Sequence, residues 1–123
     1  MIKTLLLVSD DIDDQQAFTE AMEDFDEQTV VIAIVNEEMA FRLIKSYLLI
    51  PDFIFIDLTC FDLSKCQAFI EFIKQEAKFK TTLMAMYGTD ADLRAVNKDV
   101  SITFEKDYDY LQLRNILKKI LHQ

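Results

Sequence analysis

The chain has 123 residues, of which 51% are hydrophobic and 28% charged, and this composition predicts one globular domain over residues 1–123. Its net charge of −9 argues against nucleic acid as a direct partner, because a protein must neutralise phosphates to bind them. The single glycine excludes a Walker loop and a dinucleotide fingerprint, and the single histidine, next to the C-terminus, is badly placed for a catalytic triad or a zinc site.

The first two predicted elements are a strand and a helix. Residues 2–8 contain a short apolar run that predicts a buried strand, and it ends sharply at Ser9-Asp10-Asp11. Asp11 or Asp13 can cap the helix that follows, since a short carboxylate accepts hydrogen bonds from free amides. The helix has one apolar face, formed by Phe18, Ala21, Met22 and Phe25.

A turn at residues 26–28 leads to a second strand and a second helix. The β-branched run of residues 29–35 predicts the strand. Asn36 is a plausible N-cap for the helix. Its predicted inward-facing residues are Ala40, Leu43, Ile44, Tyr47 and Leu48.

The third strand ends on a carboxylate. In residues 52–59 four consecutive apolar side chains leave no polar face, so the strand should be covered on both sides. Asp57 follows at the point where the strand leaves the core, which is where open parallel sheets bind ligands. This stretch alone supports two interpretations: Asp57 is a nucleophilic or metal-binding carboxylate, or it merely opens a turn.

The remaining elements continue the alternation. A third helix is expected around Cys66, Phe69, Ile70 and Ile73, with residues 74–80 as its polar exit. Residues 82–87 predict a fourth strand stopped by Gly88, and residues 90–99 a short helix with few apolar anchors. Residues 101–105 alternate like an edge strand, and Lys106 follows. The last helix is expected to bury Leu113, Ile116, Leu117, Ile120 and Leu121.

Five strands alternating with five helices, joined by short connections, predict an α/β fold with a parallel sheet and helices on both faces. In such a doubly wound, three-layer arrangement the strand ends at Asp10, Asp57, Tyr87 and Lys106 open on one edge. Clustered carboxylates need a cation or raised pKa values, and oxygen ligands suit Mg²⁺. A lysine on the opposite side supplies a positive charge for a phosphoryl oxygen. The carboxylates, the cation and the lysine together describe an aspartyl-phosphate site whose nucleophile is Asp57.

Each of these residues also has a simpler interpretation when taken singly. Asp10 and Asp11 are then helix caps, as Asp after a strand commonly is. Lys106 is then an exposed lysine, and Tyr87 a strand-end aromatic whose hydroxyl reaches water. Their joint placement at successive strand ends favours the shared site.

These segments resemble the receiver domains of two-component response regulators over essentially the whole chain. Residues 5–11 resemble the first strand and acidic pair, with Asp10 at the second acid; residues 51–58 resemble the phosphoacceptor strand; residues 104–106 resemble the lysine strand. The resemblance implies a flavodoxin-like receiver fold with strand order 2-1-3-4-5. The layout is most similar to the stand-alone receivers common in bacteria.

The resemblance also implies a function. Asp57 would accept a phosphoryl group from a histidine kinase or a phosphotransfer protein, and Lys106 would neutralise the developing charge. Mg²⁺ would be held by Asp10, Asp57 and the backbone carbonyl of Thr59. The output would be binding to a downstream protein. Such a protein is not a conventional enzyme, but a phosphoryl acceptor with at most slow autodephosphorylation.

The chain departs from the receiver pattern at several positions. Ser9 replaces the first carboxylate, Tyr87 stands where the family carries Ser or Thr, and Asp107 replaces the Pro after the lysine. Phe61 and Lys65 replace the usual Pro and Gly after the phosphoacceptor. These departures motivate an alternative, a pseudo-receiver that acts as a phosphorylation-independent protein-interaction module.

The sequence also bears on the compartment. No apolar run reaches the length needed to span a bilayer, and the start lacks a signal-peptide pattern. Cys60 and Cys66 fit no redox or zinc spacing. We therefore expect a cytoplasmic protein with free thiols and no membrane partner, and the sequence leaves its oligomeric state open.

Overall fold

The computed structural model describes residues 2–25, 28–46, 49–96, 100 and 102–122. Several features predicted from the sequence lie outside the described residues. They are the turn residues 26 and 27, the inward-facing Tyr47 and Leu48, the end of the fourth helix at 97–99, the start of the fifth strand at residue 101, and the side chain of Phe25.

Five parallel strands form a single sheet in the order β2-β1-β3-β4-β5, so the predicted strand order is confirmed. The strands are β1 (Lys3–Val8), β2 (Thr29–Ile34), β3 (Phe53–Asp57), β4 (Leu83–Gly88) and β5 (Ile102–Glu105). The helices are α1 (Ile12–Phe25), α2 (Glu37–Lys45), α3 (Leu63–Gln75), α4 (Asp90–Ala95) and α5 (Tyr110–Leu121).

The sheet separates two apolar layers because successive side chains of a strand point to opposite faces. All five residues of β3 are buried, as four consecutive apolar residues predict. On one face Leu6, Ile54 and Met86 pack with α2 and α3, while on the other Leu5, Phe55 and Tyr87 pack with α1 and α5. The predicted three-layer architecture is therefore confirmed.

Side chains that cap α1 and α2 hold the short segments that connect β1 and β2 to these helices. The Asn36 side chain accepts the Met39 amide at the start of α2, as predicted. At the start of α1 it is Asp11, not Asp13, whose carboxylate accepts the amides of Asp13 and Asp14. Asp11 is therefore held in place at the end of β1.

Several boundaries differ from those predicted from the sequence. Val35 lies outside β2 and is 47% exposed. The predicted polar exit of α3 contains a short 3₁₀ helix, Ala77–Phe79, whose Phe79 ring is buried against Phe72, so this segment contributes to the core. Ile116, which the sequence predicted to be buried by the last helix, is only partly buried.

Gly88 allows β4 to approach the segment that follows β3. A Cβ atom added at Gly88 would lie 3.0 Å from the Leu58 Cβ and 3.3 Å from Asp92 side-chain atoms. Leu58 directly follows Asp57, and its amide donates to the Tyr87 carbonyl at 2.8 Å. A side chain at position 88 would therefore push on the residue next to Asp57.

Within the described residues, no helix is both long and apolar enough to cross a membrane.

Candidate functional site

The ends of β1, β3, β4 and β5 converge at one edge of the sheet. Asp57 is in register with Tyr87, and the Lys106 amide donates to the Gly88 carbonyl at 2.9 Å, which extends β5 by one residue along β4. The Ser9 hydroxyl donates to Asp57 Oδ2 at 2.8 Å. Side chains that are far apart in sequence therefore meet around Asp57.

Asp57 is completely buried and accepts four hydrogen bonds. Ser9 Oγ and Lys106 Nζ each donate to Oδ2 at 2.8 Å. The Thr59 amide and hydroxyl donate to Oδ1 at 3.0 and 2.6 Å. Since a carboxylate offers about four acceptor positions, these donors satisfy Asp57 fully.

Lys106 connects three carboxylates. Its Nζ lies 2.8 Å from Asp57 Oδ2, 2.9 Å from Asp14 Oδ2 and 3.2 Å from Asp11 Oδ2. Burial acts to lower the pKa of Lys106, but the hydrogen bonds to Asp57 and Asp14 outweigh it and raise that pKa above its ordinary value. Lys106 therefore stays cationic through the physiological range and balances part of the acidic cluster.

Asp14 is a second buried carboxylate that the sequence interpretation missed. It accepts the hydroxyls of Tyr87 at 3.2 Å and Tyr108 at 2.8 Å, besides its ion pair with Lys106. Burial raises the pKa of Asp14 despite the opposing hydrogen bonds from Lys106 and Tyr108. Asp11 behaves in the opposite way: burial works to raise its pKa, but the Lys106 hydrogen bond and nearby amides lower it overall.

Tyr87 lies inside the protein, so the interpretation of its hydroxyl as reaching water was wrong. The side chain is fully buried, and its ring stacks on Phe104 with centroids 5.2 Å apart and an interplanar angle of 4°. Burial, reinforced by the charges of Asp57 and Asp14, raises the pKa of Tyr87. The aromatic layer between α1 and α5 holds the ring in place, because Phe18 contacts it from α1.

Asp10 lies on the outer side of the same edge, near a thiol. Ligand atoms of Asp10, Asp57 and Cys60 all lie within 4.8 Å of one another, close enough to hold a metal ion together. Cys60 Sγ contacts the carbonyls of Asp57 at 3.3 Å and Val8 at 3.8 Å. Two carboxylates fit Mg²⁺, which is commonly bound through one or two carboxylates with water completing its shell.

The other predicted positions lie at or beside this edge. Thr59 contacts Asp57 with its amide and hydroxyl, and its hydroxyl also lies 3.2 Å from Lys106 Nζ. Asp107 is exposed and lines a surface depression next to Lys106 and Gly88. The metal-binding and switching roles assigned to Ser9, Asp10, Thr59, Tyr87 and Asp107 stay predictions.

A sequence signal for Asp14 was available. Asp14, Phe18, Ala21 and Met22 follow helical spacing, so Asp14 occupies the inward face of α1, where a carboxylate needs a partner. Tyr108 and Cys60 carry no comparable signal, since each lies in an irregular segment after a strand.

The arrangement defines a class of protein: an open, doubly wound α/β fold with an acidic site at the carboxyl edge of its parallel sheet. No protein-family model matches the chain, and no curated protein matches it in sequence. Solved structures do match over the whole chain. The fold is that of response regulator receiver domains, which confirms the resemblance at the level of structure.

Three of the matching structures illustrate the likeness. A signal receiver domain of a two-component histidine kinase from Clostridium thermocellum is 16% identical with a TM-score of 0.79, covering 100% of both chains. A phosphorylated cyanobacterial phytochrome response regulator is 20% identical with a TM-score of 0.78, covering 98% of this chain and 91% of its own. A chemotaxis response regulator of Vibrio cholerae is 18% identical with a TM-score of 0.72, covering 99% of this chain and 98% of its own.

Proposed function

We propose that this protein is a two-component receiver that accepts a phosphoryl group on Asp57 from a histidine kinase or phosphotransfer protein in the cytoplasm. One observation carries the proposal: Asp57 ends the central strand at the carboxyl edge of the sheet in a receiver fold, and Lys106 Nζ lies 2.8 Å from its Oδ2. A carboxylate beside a fixed cation is the arrangement that phosphoryl transfer to an aspartate requires.

In the transfer an oxygen of Asp57 attacks the phosphorus of a phosphohistidine, the new P–O bond forms, and the P–N bond to the donor imidazole breaks. Lys106 offsets the negative charge on the phosphoryl oxygens. Asp10, Asp57 and the Thr59 carbonyl would hold Mg²⁺, which neutralises phosphoryl charge when bound. One of the four donors on Asp57 must turn away before attack, so phosphorylation is expected to be slow.

We propose that the output is binding to a partner protein, and that the internal switch differs from the one that the resemblance implies. Tyr87 is buried, stacked on Phe104 and bonded to Asp14, so no small hydroxyl is free at this position to follow the phosphoryl group. Lys106 links Asp57 to Asp14, and Asp14 in turn accepts a hydrogen bond from the Tyr108 hydroxyl. We propose that phosphorylation alters this chain of contacts instead.

The proposal is tested by incubating the full chain with a small phosphodonor and Mg²⁺ and measuring its intact mass. The wild type should gain one phosphoryl group, and Asp57→Asn should gain none. Asp13→Asn is the matched control, because Asp13 is an exposed acid in the same edge region. If the folded wild type gains no mass, phosphoryl acceptance is overturned, and a partner bound equally by wild type and Asp57→Asn would identify a pseudo-receiver.

A further inference from the structure

The cation site contains a donor that the receiver resemblance does not imply. Cys60 follows Asp57 by three residues, and its Sγ lies within 4.8 Å of carboxylate oxygens of both Asp10 and Asp57. Its contacts with the carbonyls of Val8 and Asp57 place the sulfur between the ends of β1 and β3. The thiol therefore lies where the two acid-bearing strands meet.

The missing first acid makes this position chemically important. Ser9 is fully buried and donates its hydroxyl to Asp57, so it supplies a hydrogen bond where a second buried carboxylate would supply a ligand. Two carboxylates and the Thr59 carbonyl would hold a divalent ion weakly, because Mg²⁺ then keeps about half of its water. A third side-chain ligand raises the affinity, and a sulfur ligand selects a soft cation over a hard one.

We propose that Cys60 is the third side-chain ligand of the cation site at Asp10 and Asp57, and that the site binds thiophilic divalent cations such as Zn²⁺ and Cd²⁺ more tightly than Mg²⁺. This inference shares the cation site of the proposed function but does not require phosphorylation. Binding breaks the S–H bond and forms an S–metal bond, the proton leaves to solvent, and no oxidant or reductant takes part.

The geometry suits a small tetrahedral ion after a modest contraction and after Asp57 releases one of its four hydrogen-bond donors. Ligands at about 2.0 Å (oxygen) and 2.3 Å (sulfur) from a tetrahedral ion lie roughly 3.5 Å apart. The present separations of up to 4.8 Å must therefore shorten by about 1 Å. Asp10 is exposed, so its side chain can approach the buried Asp57 and the partly buried Cys60 without disturbing the core.

The test uses CdCl₂ and the reduced full chain, because a Cd²⁺–thiolate bond gives an ultraviolet charge-transfer band that carboxylates do not. Wild type should develop the band in a one-to-one titration, and Cys60→Ser should not. Calorimetry should show Cd²⁺ binding weakened about tenfold or more in Cys60→Ser. Cys66→Ala is the matched control, since Cys66 is buried in the α2–α3 layer, and it should keep the band.

Two further measurements locate the site. Asp10→Asn changes only an exposed side chain, and it should weaken Cd²⁺ binding while leaving the circular dichroism spectrum unchanged. Excess Mg²⁺ should compete with Cd²⁺ for the wild type. A band that persists in Cys60→Ser, or equal Cd²⁺ affinities in wild type and Cys60→Ser, would overturn the inference. The Mg²⁺-dependent gain in mass of the wild type is measured without Cd²⁺, so the proposed function is judged separately.

Discussion

The ammonium of Lys106 lies 2.9 Å from Oδ2 of Asp14, almost as close as its 2.8 Å contact with Asp57. Asp14 is thus a second buried acid that shares the lysine with the phosphoacceptor candidate. Its other partners, Tyr87 and Tyr108, belong to β4 and to the segment before α5. We therefore expect a change of charge at Asp57 to affect Asp14, Tyr87 and Tyr108 through Lys106.

Replacing Lys106 with Met should destabilise the fold by about 3 kcal/mol, the low end for breaking a buried ion pair, because the lysine side chain keeps 20% exposure. The change leaves Asp57 and Asp14 without their cation. Urea unfolding measures the loss. The exposed Lys118→Met should stay within about 0.5 kcal/mol of wild type.

Adding Asp14→Asn to Lys106→Met should recover part of that stability, because one of the two buried charges disappears with it. A double-mutant cycle at neutral pH measures the coupling between the two residues. Strictly additive losses would show that Asp14 and Lys106 do not interact energetically, contrary to their 2.9 Å contact.

Tyr87, which is buried, and Tyr108, which is partly buried, should make the protein sensitive to alkali. The pKa values of Tyr87 and Tyr108 are raised mainly by burial, so the folded state keeps protons that the unfolded chain releases near pH 10. The unfolded state then binds fewer protons, and stability falls as pH rises above about 10. Lys106 acts in the same direction, since its raised pKa gives a stabilisation that is complete below its unfolded pKa and lost as pH rises through the folded one.

Tyr87→Phe should lower stability at pH 7 by about 1–2 kcal/mol, because Asp14 loses one of its hydrogen-bond donors. It should also flatten the alkaline decline. Urea titrations between neutral pH and pH 11 check both effects. Tyr110→Phe is the control for the effect at pH 7, since the hydroxyl of Tyr110 donates to Asp24 at an exposed position away from the site. An unchanged alkaline slope in Tyr87→Phe would contradict the assignment.

Restoring an acid at position 9 should strengthen Mg²⁺ binding. Ser9→Asp places a carboxylate beside Asp57, which repels it without metal and joins it in binding the ion. We expect a gain of about tenfold in Mg²⁺ affinity, with lower stability in the absence of Mg²⁺. Tyrosine fluorescence titration measures the affinity. Ser46→Asp, at the exposed end of α2, should leave it unchanged, and equal affinities for Ser9→Asp and wild type would contradict the placement of the site.

The fold was largely predictable because its strands are either wholly apolar or strongly β-branched. The run before Asp57 has no polar face, and it forms the fully buried central strand. Boundaries were less predictable where tertiary contacts decide them. Phe79 lies in a charged stretch, and its packing in the core, against Phe72 among others, could not be read from that stretch.

The site was predictable only in part. The sequence alone predicted that Asp57 and Lys106 lie at one edge of the sheet, because each lies at the end of a strand and parallel strands end at the same edge. The direction of Tyr87 was not predictable, because a strand-end tyrosine satisfies its hydroxyl equally well in water or on a buried acid. Asp14 provides that buried partner, and its position on the inward face of α1 was the overlooked signal.

Mapping the phosphorylated residue tests most directly whether Asp57 is the acceptor. After incubation with a phosphodonor and Mg²⁺, borohydride reduction converts an aspartyl phosphate into homoserine, and peptide mass spectrometry locates the product. We expect homoserine at position 57 and unmodified aspartates at positions 10, 11 and 14. Homoserine at one of those three positions, or at none of the four, would contradict the assignment of Asp57 as the phosphoryl acceptor.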